Sequence, residues 1–181
     1  MKPILLLCCL LLIAGCGPGQ EQPASKPAVP DGPATPYGTV AEVKAYLDQI
    51  TPHIQLVSQL QAEIDRQIGS SGKVTSKNLA AATAVAAPRL RRAREEFARL
   101  QPPPLLAPLH RDIEKLMTVR LDAYATAAEG WQREQQNRDT AWHGTVEAKL
   151  QSANDLIVQL NRQLQQVNEA LAQTTTQVAR P

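Results

Sequence analysis

Three observations predict that this chain is all-α and folds as an antiparallel, up-down-up-down four-helix bundle. Apolar residues recur in steps of three and four along four segments, which is the period of a helix face that packs against other helices. Short turn-forming sequences separate the segments, and short connections favour antiparallel neighbours. Aromatic residues make up only 3% of the chain. This disfavours strands, because strands draw on aromatic and β-branched side chains.

The first helix is predicted to begin at Thr39. Thr39 and Glu42 fit a capping box, in which each side chain binds a backbone N–H group that the helix leaves unpaired. Gln61 fills the one gap in an otherwise regular seam of Val43, Leu47, Ile50, Ile54, Val57, Ile64 and Ile68. The unbroken register predicts one helix that is kinked at Pro52 rather than two helices.

The second helix is predicted to follow a break at residues 69–73, with Thr75 or Ser76 as its cap. Pro88 lies off its seam and is expected to bend the helix without ending it. Three consecutive prolines at 102–104 force the stop, because proline restricts the residue before it. The seam residues are Leu79, Thr83, Ala86, Leu90, Ala93, Phe97 and Leu100.

The third helix is predicted to start between Pro104 and Pro108, and the fourth to be capped by Asp139 or Thr140. The third has the broader apolar face, formed by Leu109, Ile113, Leu116, Met117, Leu121, Tyr124, Ala128 and Trp131. The fourth has the most regular seam, formed by Val146, Leu150, Ala153, Ile157, Leu160, Leu164, Val167 and Leu171. The bundle is therefore expected to span residues 39–177, followed by a disordered tail at 178–181. A helical hairpin that dimerises into a coiled coil is the alternative arrangement.

The N-terminus has the pattern of a targeting segment. Lys2 precedes the apolar run Ile4–Ala14, which is shorter than the roughly 20 residues that span a bilayer core. The run ends in Leu12-Ile13-Ala14-Gly15-Cys16, which resembles the lipobox of bacterial lipoproteins. This resemblance implies that residues 1–15 are a signal peptide, removed before Cys16. It also implies that Cys16 carries thioether-linked diacylglycerol and an N-acyl chain such as palmitate, which together anchor the chain to a membrane.

The residues after Cys16 indicate the location of the protein and the nature of the linker that follows. Gly17 stands where Asp would retain such a lipoprotein at the inner membrane, so the resemblance implies the outer membrane, facing the periplasm. Residues 16–38 are predicted to be a lipidated cysteine and a disordered linker, because the segment is rich in Pro and Gly and has little to bury. An ordinary secretory signal with a coincidental cysteine is the alternative.

The segment Leu100–His110 carries a second, looser resemblance. Its Leu-x-Pro-Pro stop, followed by Leu-His, is similar to a hinge in many uncharacterised helical envelope proteins of bacteria. The resemblance implies a helical envelope domain and no particular activity.

No catalytic, metal or cofactor site is predicted. The histidines His53, His110 and His143 form no His-x-x-x-His pair. Glu114 lies four residues after His110, and Glu147 lies four after His143, but ordinary surface contacts explain both pairs. Cys-x-x-Cys-His and Gly-x-Ser-x-Gly motifs are absent from the sequence, which gives no indication of haem or of a serine nucleophile. A net charge of +2 does not suggest nucleic-acid binding.

Two groups of residues are candidates for an interaction patch. The first is the run Arg89, Arg91, Arg92 and Arg94, which could bind lipid phosphates or an acidic partner, or could be a solvated face paired with Glu95 and Glu96. The second is the pair Trp131 and Trp142, which flank the last turn. They could form a partner-binding hot spot or a packed end of the bundle.

The sequence therefore predicts a non-enzymatic envelope lipoprotein that acts through contacts of its helical bundle. The expected partners are membrane lipid, through the acyl groups on Cys16, and an envelope protein; a homo-oligomer formed through the helical seams is also open. The alternative is a bundle that binds a small ligand or a metal in a cavity lined by Met117, Tyr124 and one of the histidines.

Overall fold

A computed structural model describes residues 32–69 and 75–178. Every described element belongs to one unit, Asp31–Pro181. The expected signal peptide, Cys16 and most of the linker lie outside the described residues, as do residues 179–181. Within the described part, none of the helices has an apolar stretch long enough to cross a membrane.

The described residues form an all-α fold of four helices, as the sequence predicts. The helices are α1 (Val40–Gly69), α2 (Ser76–Phe97), α3 (Ala107–Asn137) and α4 (Trp142–Val178). A 3-10 turn at Pro104–Leu106 precedes α3, and two short strands, β1 (Ala34–Thr35) and β2 (Gly38–Thr39), precede α1. Val178 belongs to α4 and not to the predicted tail.

Each helix packs on the next one in the chain, and contacts between side chains show that the neighbours are antiparallel. Glu63 of α1 pairs with Arg89 of α2, and Ser76 at the start of α2 bonds to Glu134 late in α3. Asp112, early in α3, accepts a hydrogen bond from Gln163 in α4. The up-down-up-down arrangement follows. We call the end that carries β1 and β2 the hairpin end, and the end that carries the α3–α4 turn the far end.

The start of α1 follows the predicted capping box. The Thr39 N–H group donates to Glu42 Oε2 at 2.9 Å, and the Glu42 N–H group donates to Thr39 Oγ1 at 3.2 Å. The Thr39 hydroxyl also donates to Glu42 Oε2, at 2.7 Å. This bond, together with the one from the Thr39 N–H group, holds the pKa of the Glu42 carboxyl below its ordinary value. The helix continues through Pro52 without a break, as the regular seam predicts.

The end of the predicted disordered linker is ordered, which corrects its boundary at residue 38. Residues 34–39 form an antiparallel hairpin, in which Ala34 pairs with Thr39 and Thr35 with Gly38. The Thr35 hydroxyl donates to the Gly38 carbonyl and accepts from the Tyr37 N–H group. Tyr37 packs against the core. The turn-forming residues that suggested disorder instead close a tight turn, with Gly38 at a φ of +131°.

The core follows the predicted seams in α1, α2 and α4, but the buried face of α3 turns away from the prediction toward its C-terminal end. There Ala123, Ala127 and Gly130 are buried, while Leu121, Ala128 and Trp131 are half-buried. The cause is Trp142 of α4, whose ring lies directly on Gly130. A Cβ at position 130 would lie 2.2 Å from the Trp142 Cγ. Small residues therefore face α4 because a large ring needs the space.

Candidate functional site

The fourth side of the bundle, between α1 and α4, is only sparsely packed. It contains an open groove of about 560 Å³. The groove runs along the hairpin half of the bundle, and its residues are contributed by two helices that no loop connects directly. The apolar residues are Leu47 and Ile54 of α1 with Leu164 and Leu171 of α4. The polar residues are Lys44, Asp48, Thr51, Gln55 and Asn168.

The groove is a consequence of the seam pattern. The apolar groove residues lie seven apart on each helix, so each pair occupies one stripe of its helix. Ile50 and Val57 of α1, on the neighbouring stripe, are buried, whereas Leu47 and Ile54 are half-buried. In α1, one stripe of the seam thus fills the core and the other faces the groove.

The polar residues of the groove suit contact with another surface better than chemistry. The Thr51 hydroxyl donates to the Leu47 carbonyl at 2.6 Å, so it is already engaged within α1. Lys44 and Asp48 are one turn apart and place opposite charges along the same edge. Gln55 and Asn168 add neutral amides. An apolar floor with such edges can bury an amphipathic segment and orient it by its charges.

The candidate arginines do not lie on one surface. Arg89 forms an ion pair with Glu63, which ties it to α1. Arg94 points the other way, toward α3, with its Nη1 atom 3.4 Å from Thr118 Oγ1. Arg91 and Arg92 are exposed. The run is therefore distributed around α2.

The two tryptophans lie in different environments at the far end. Trp142 is 2% exposed, packs with Ala127 and Val146, and donates its indole N–H to Glu134 at 3.1 Å. Trp131 is half-buried. The structure thus places Trp142 as a packed end of the bundle, and it does not bring the tryptophans together with the arginines.

The histidines divide between the two ends. His143 lies at the far end, where its Nε2 atom is 3.4 Å from Glu134 and 3.1 Å from the Ser76 hydroxyl. His110 lies at the hairpin end, so the pairs that His110 and His143 form with Glu114 and Glu147 do not meet. Among residues 32–69 and 75–178, no group of three His, Cys, Asp or Glu side chains is arranged to hold a metal ion.

His110 is a core residue, which the sequence reasoning missed. It is 8% exposed, and its ring stacks on Phe97 at 4.3 Å between centroids. Its Nδ1 atom lies 3.0 Å from the Tyr46 hydroxyl. Burial lowers the pKa of His110, and the nearby Glu114 charge opposes that shift. The available signal was its spacing, three residues before Ile113 and seven before Met117.

Arg120 is a second buried polar residue that the sequence reasoning missed. It is 3% exposed, and its guanidinium donates to the side-chain carbonyl of Gln61. Gln61 in turn donates to Asp65 at 2.7 Å, so one neutral amide connects the buried cation to an exposed carboxylate. The polar gap at Gln61 in the α1 seam was the available signal, because a seam residue faces another helix.

Met117 and Tyr124, which were expected to line a ligand cavity in the alternative hypothesis, belong to the buried core. Met117 is fully buried and Tyr124 is 2% exposed. Burial raises the pKa of the Tyr124 phenol, and the Arg120 charge partly offsets this. The groove between α1 and α4 lies elsewhere and is lined by no histidine.

The function of the chain must be inferred from the surfaces and side chains described above. Comparison with protein-family models, with curated proteins and with solved structures gives no match. Of the surfaces described, the groove between α1 and α4 combines volume, apolar floor and charged edge. It is therefore the candidate functional site.

Proposed function

We propose that this chain is a lipid-anchored, non-enzymatic envelope protein that binds an amphipathic helix of a partner protein in its α1–α4 groove. The observation that carries the proposal is the groove, with its two stripes of apolar side chains on adjacent antiparallel helices. The lipobox-like Leu12–Cys16 supports anchoring through acylated Cys16, and Gly17 supports location at the outer membrane, facing the periplasm.

A helix is the occupant that fits this groove best. Leu47 and Ile54, like Leu164 and Leu171, repeat at the seven-residue spacing of a helical seam, so a helix laid along them can meet both pairs. Helices pack at about 8–10 Å between axes with side chains of this size. Lys44 and Asp48 favour a partner that carries an acidic and a basic residue one turn apart in the matching order.

The test is co-purification from cells crosslinked in place. We expect a near-stoichiometric partner with the native chain, and its loss when Leu47→Gln and Leu164→Gln are combined. Val85→Gln is the matched control, because Val85 is an exposed apolar residue, 63% accessible, away from the groove. Cys16→Ser should abolish membrane retention and acyl labelling and should reduce partner recovery.

Two outcomes would refute parts of the proposal. Equal partner recovery from the groove variant and from Val85→Gln would show that the groove is not the binding surface. Unchanged membrane retention with Cys16→Ser would refute the anchor. Circular dichroism melting of each variant establishes that it is folded before these comparisons are made.

A second candidate function is binding of a small apolar ligand in the same groove. Its volume, about 560 Å³, falls within the range of about 300–1,000 Å³ that is common for ligand pockets. Ligand binding predicts a melting temperature that rises with ligand concentration, since only the folded state binds. A thermal-shift series with fatty acids and other apolar compounds distinguishes this candidate from a protein partner.

A further inference from the structure

The hairpin end of the bundle differs from the rest of the described residues in its charge. Three segments form this end, at residues 32–41, 97–111 and 170–177, and we call them the tip. Every acidic side chain of the described residues lies outside these segments. The tip contains two arginines, Arg99 and Arg111, which are exposed and form no ion pair within the described part of the chain. The tip is therefore a positively charged surface.

The same surface exposes apolar side chains. Leu105, on the turn before α3, is 62% exposed. A cleft of about 200 Å³ lies beside it and is lined in part by Tyr37, Leu106 and Pro108. Leu106 is buried and fixes the turn on the bundle, so Leu105 is held outward on a rigid support. The tip thus presents a leucine and a tyrosine between two unpaired cations.

We propose that the tip is a membrane-contacting surface, which lays the hairpin end of the bundle against phospholipid. Leu105 and Tyr37 enter the interface, and Arg99 and Arg111 bind the lipid phosphates. The inference rests on the proposed function for the anchor that brings the chain to a membrane. The contact itself is a property of the bundle and can be measured without a protein partner.

The chemistry of the tip matches that of a phospholipid surface. A leucine side chain gains by leaving water for the boundary of the acyl chains, and a tyrosine ring suits the level of the headgroups. Arginine binds phosphate through a planar fork of N–H donors, and each cation near an anionic leaflet adds to the attraction. The absence of carboxylates from the tip matters equally, because a carboxylate there would be repelled by the same phosphates.

The acidic residues that border the tip do not cancel its charge. Asp112 accepts hydrogen bonds from Gln159 and Gln163 of α4, so it turns toward the side of the bundle. Glu169 accepts from Gln165, one turn further from the tip. Glu42 caps the start of α1, where the partial positive charge of the helix N-terminus offsets the carboxylate.

The tip is also where the anchor enters the bundle. Gly32 belongs to the tip and lies sixteen residues after Cys16. A chain of that length spans at most about 55 Å, so acylated Cys16 keeps the tip close to the membrane and raises its effective concentration there. The far end is separated from the tip by the length of α3, about 45 Å. A surface of modest affinity is therefore sufficient at the tip.

The far end lacks this pattern. It carries charges of both signs, including Arg133 and Asp139, which approach to 3.9 Å, and Glu134, which accepts hydrogen bonds from Ser76 and Trp142. Contact through the tip consequently orients the bundle with its far end away from the lipid. The α1–α4 groove then runs along the membrane normal, and its partner helix approaches from the side.

The experiment uses brominated lipids, which quench tryptophan fluorescence on contact. Leu105→Trp places a reporter in the tip, and Val85→Trp is the matched control. Val85 has the same exposure, 63%, but lies about 18 Å from the end of α2. The native Trp131 and Trp142 give the far-end baseline. With full-length chains on brominated phosphatidylethanolamine–phosphatidylglycerol vesicles, we expect loss of the added emission at position 105 and none at position 85.

The arginines are tested in the chain that carries Leu105→Trp. Arg99→Gln combined with Arg111→Gln should lower the ratio of docked to undocked chains about fivefold for each arginine, as about 1 kcal/mol per cation implies. Lys77→Gln combined with Arg133→Gln removes the same charge at the far end and should have no such effect. Added salt should weaken quenching of the parent chain more than that of the tip variant.

Equal quenching at positions 105 and 85, or quenching at neither, would overturn the membrane contact. An equal loss from the two pairs of charge substitutions would overturn the role of Arg99 and Arg111. Melting curves establish that each variant is folded. Acyl labelling of Cys16 and partner recovery with the groove variant test the proposed function separately, so its failure is distinguishable from failure of the tip.

Discussion

The contact of α1 with α3 and the contact of α3 with α4 at the far end are built on opposite principles. Two polar links, Tyr46 with His110 and Gln61 with Arg120, join α1 to α3. At the far end, the Trp142 ring fits against Gly130 with almost no tolerance for added atoms. The comparison teaches that the α1–α3 contact depends on buried hydrogen bonds, whereas the far-end contact is limited by volume in addition to the bond from Trp142 to Glu134. We expect the stability of the α1–α3 contact to change with pH and with the loss of polar groups. We expect the stability of the far-end contact to change when a single methyl group is added.

The largest loss of stability is expected when one partner of a polar link between α1 and α3 is removed. Gln61→Leu leaves the buried Arg120 guanidinium without its acceptor, and this should lower the free energy of unfolding by about 3 kcal/mol. The double variant Gln61→Leu with Arg120→Met should return to native stability or exceed it, since no buried charge remains. Urea unfolding of the three chains measures both values. A single variant as stable as the native chain would show that the polar link is not required.

A smaller loss of stability is expected at the far end, where Trp142 packs against Gly130. Gly130→Ala would ordinarily stabilise a helix interior by up to about 1 kcal/mol. Here the added Cβ meets Trp142, so we expect a loss of about 2 kcal/mol. Gly144→Ala is the matched control, because nothing lies within 4 Å of a Cβ placed there, and it should be stabilising. Thermal melting of both variants decides the point; stabilisation by Gly130→Ala would mean that the ring moves aside freely.

The smallest loss of stability is expected at the helix caps, which can be compared between the two ends of the bundle. Thr39 and Glu42 cap α1 reciprocally, whereas Thr75 alone caps α2 by accepting from the Asn78 N–H group. Thr39→Ala and Thr75→Ala should each cost about 1 kcal/mol at pH 7.

The stability costs of Thr39→Ala and Thr75→Ala should differ from each other in acid. The Glu42 pKa is lowered in the folded state, so its contribution is present above its ordinary pKa and is lost as the pH falls through the lowered value. The cost of Thr39→Ala should therefore shrink in acid, and the cost of Thr75→Ala should not. Unfolding curves at pH 7 and pH 3 make this comparison, and parallel behaviour of the two variants would contradict it.

The regular features of the fold could be predicted from the sequence because they depend on local interactions. Thr39 and Glu42 cap a helix through contacts three residues apart. The end of α2 was predicted less well, because the helix ends at Phe97, before the prolines at 102–104 that were expected to stop it. The seam of α4 has one register, and that register fixes which residues face the core. The hairpin at residues 34–39 was not predicted, since its Pro- and Gly-rich composition is shared by disordered linkers and tight turns.

The candidate site could be predicted only in part. Leu47 and Ile54 were expected seam residues, but the sequence does not state which stripe of a seam lacks a facing helix. That depends on the separation of α1 from α4, which no loop constrains directly. His110 and Trp142 were visible as residue types; their burial depends on Tyr46, Phe97 and Gly130, which are distant in the chain.

The sequence by itself determined the all-α class, the antiparallel order and the seams of α1, α2 and α4, because three-four periodicity and short turns act over a few residues. Tertiary structure alone decided that the α3 face turns to accommodate Trp142, that Gln61 serves a buried Arg120, and that a groove remains between α1 and α4. The physical reason is that packing is a property of pairs of surfaces. A side chain's burial is settled by the volume and hydrogen-bonding groups that another helix places opposite it.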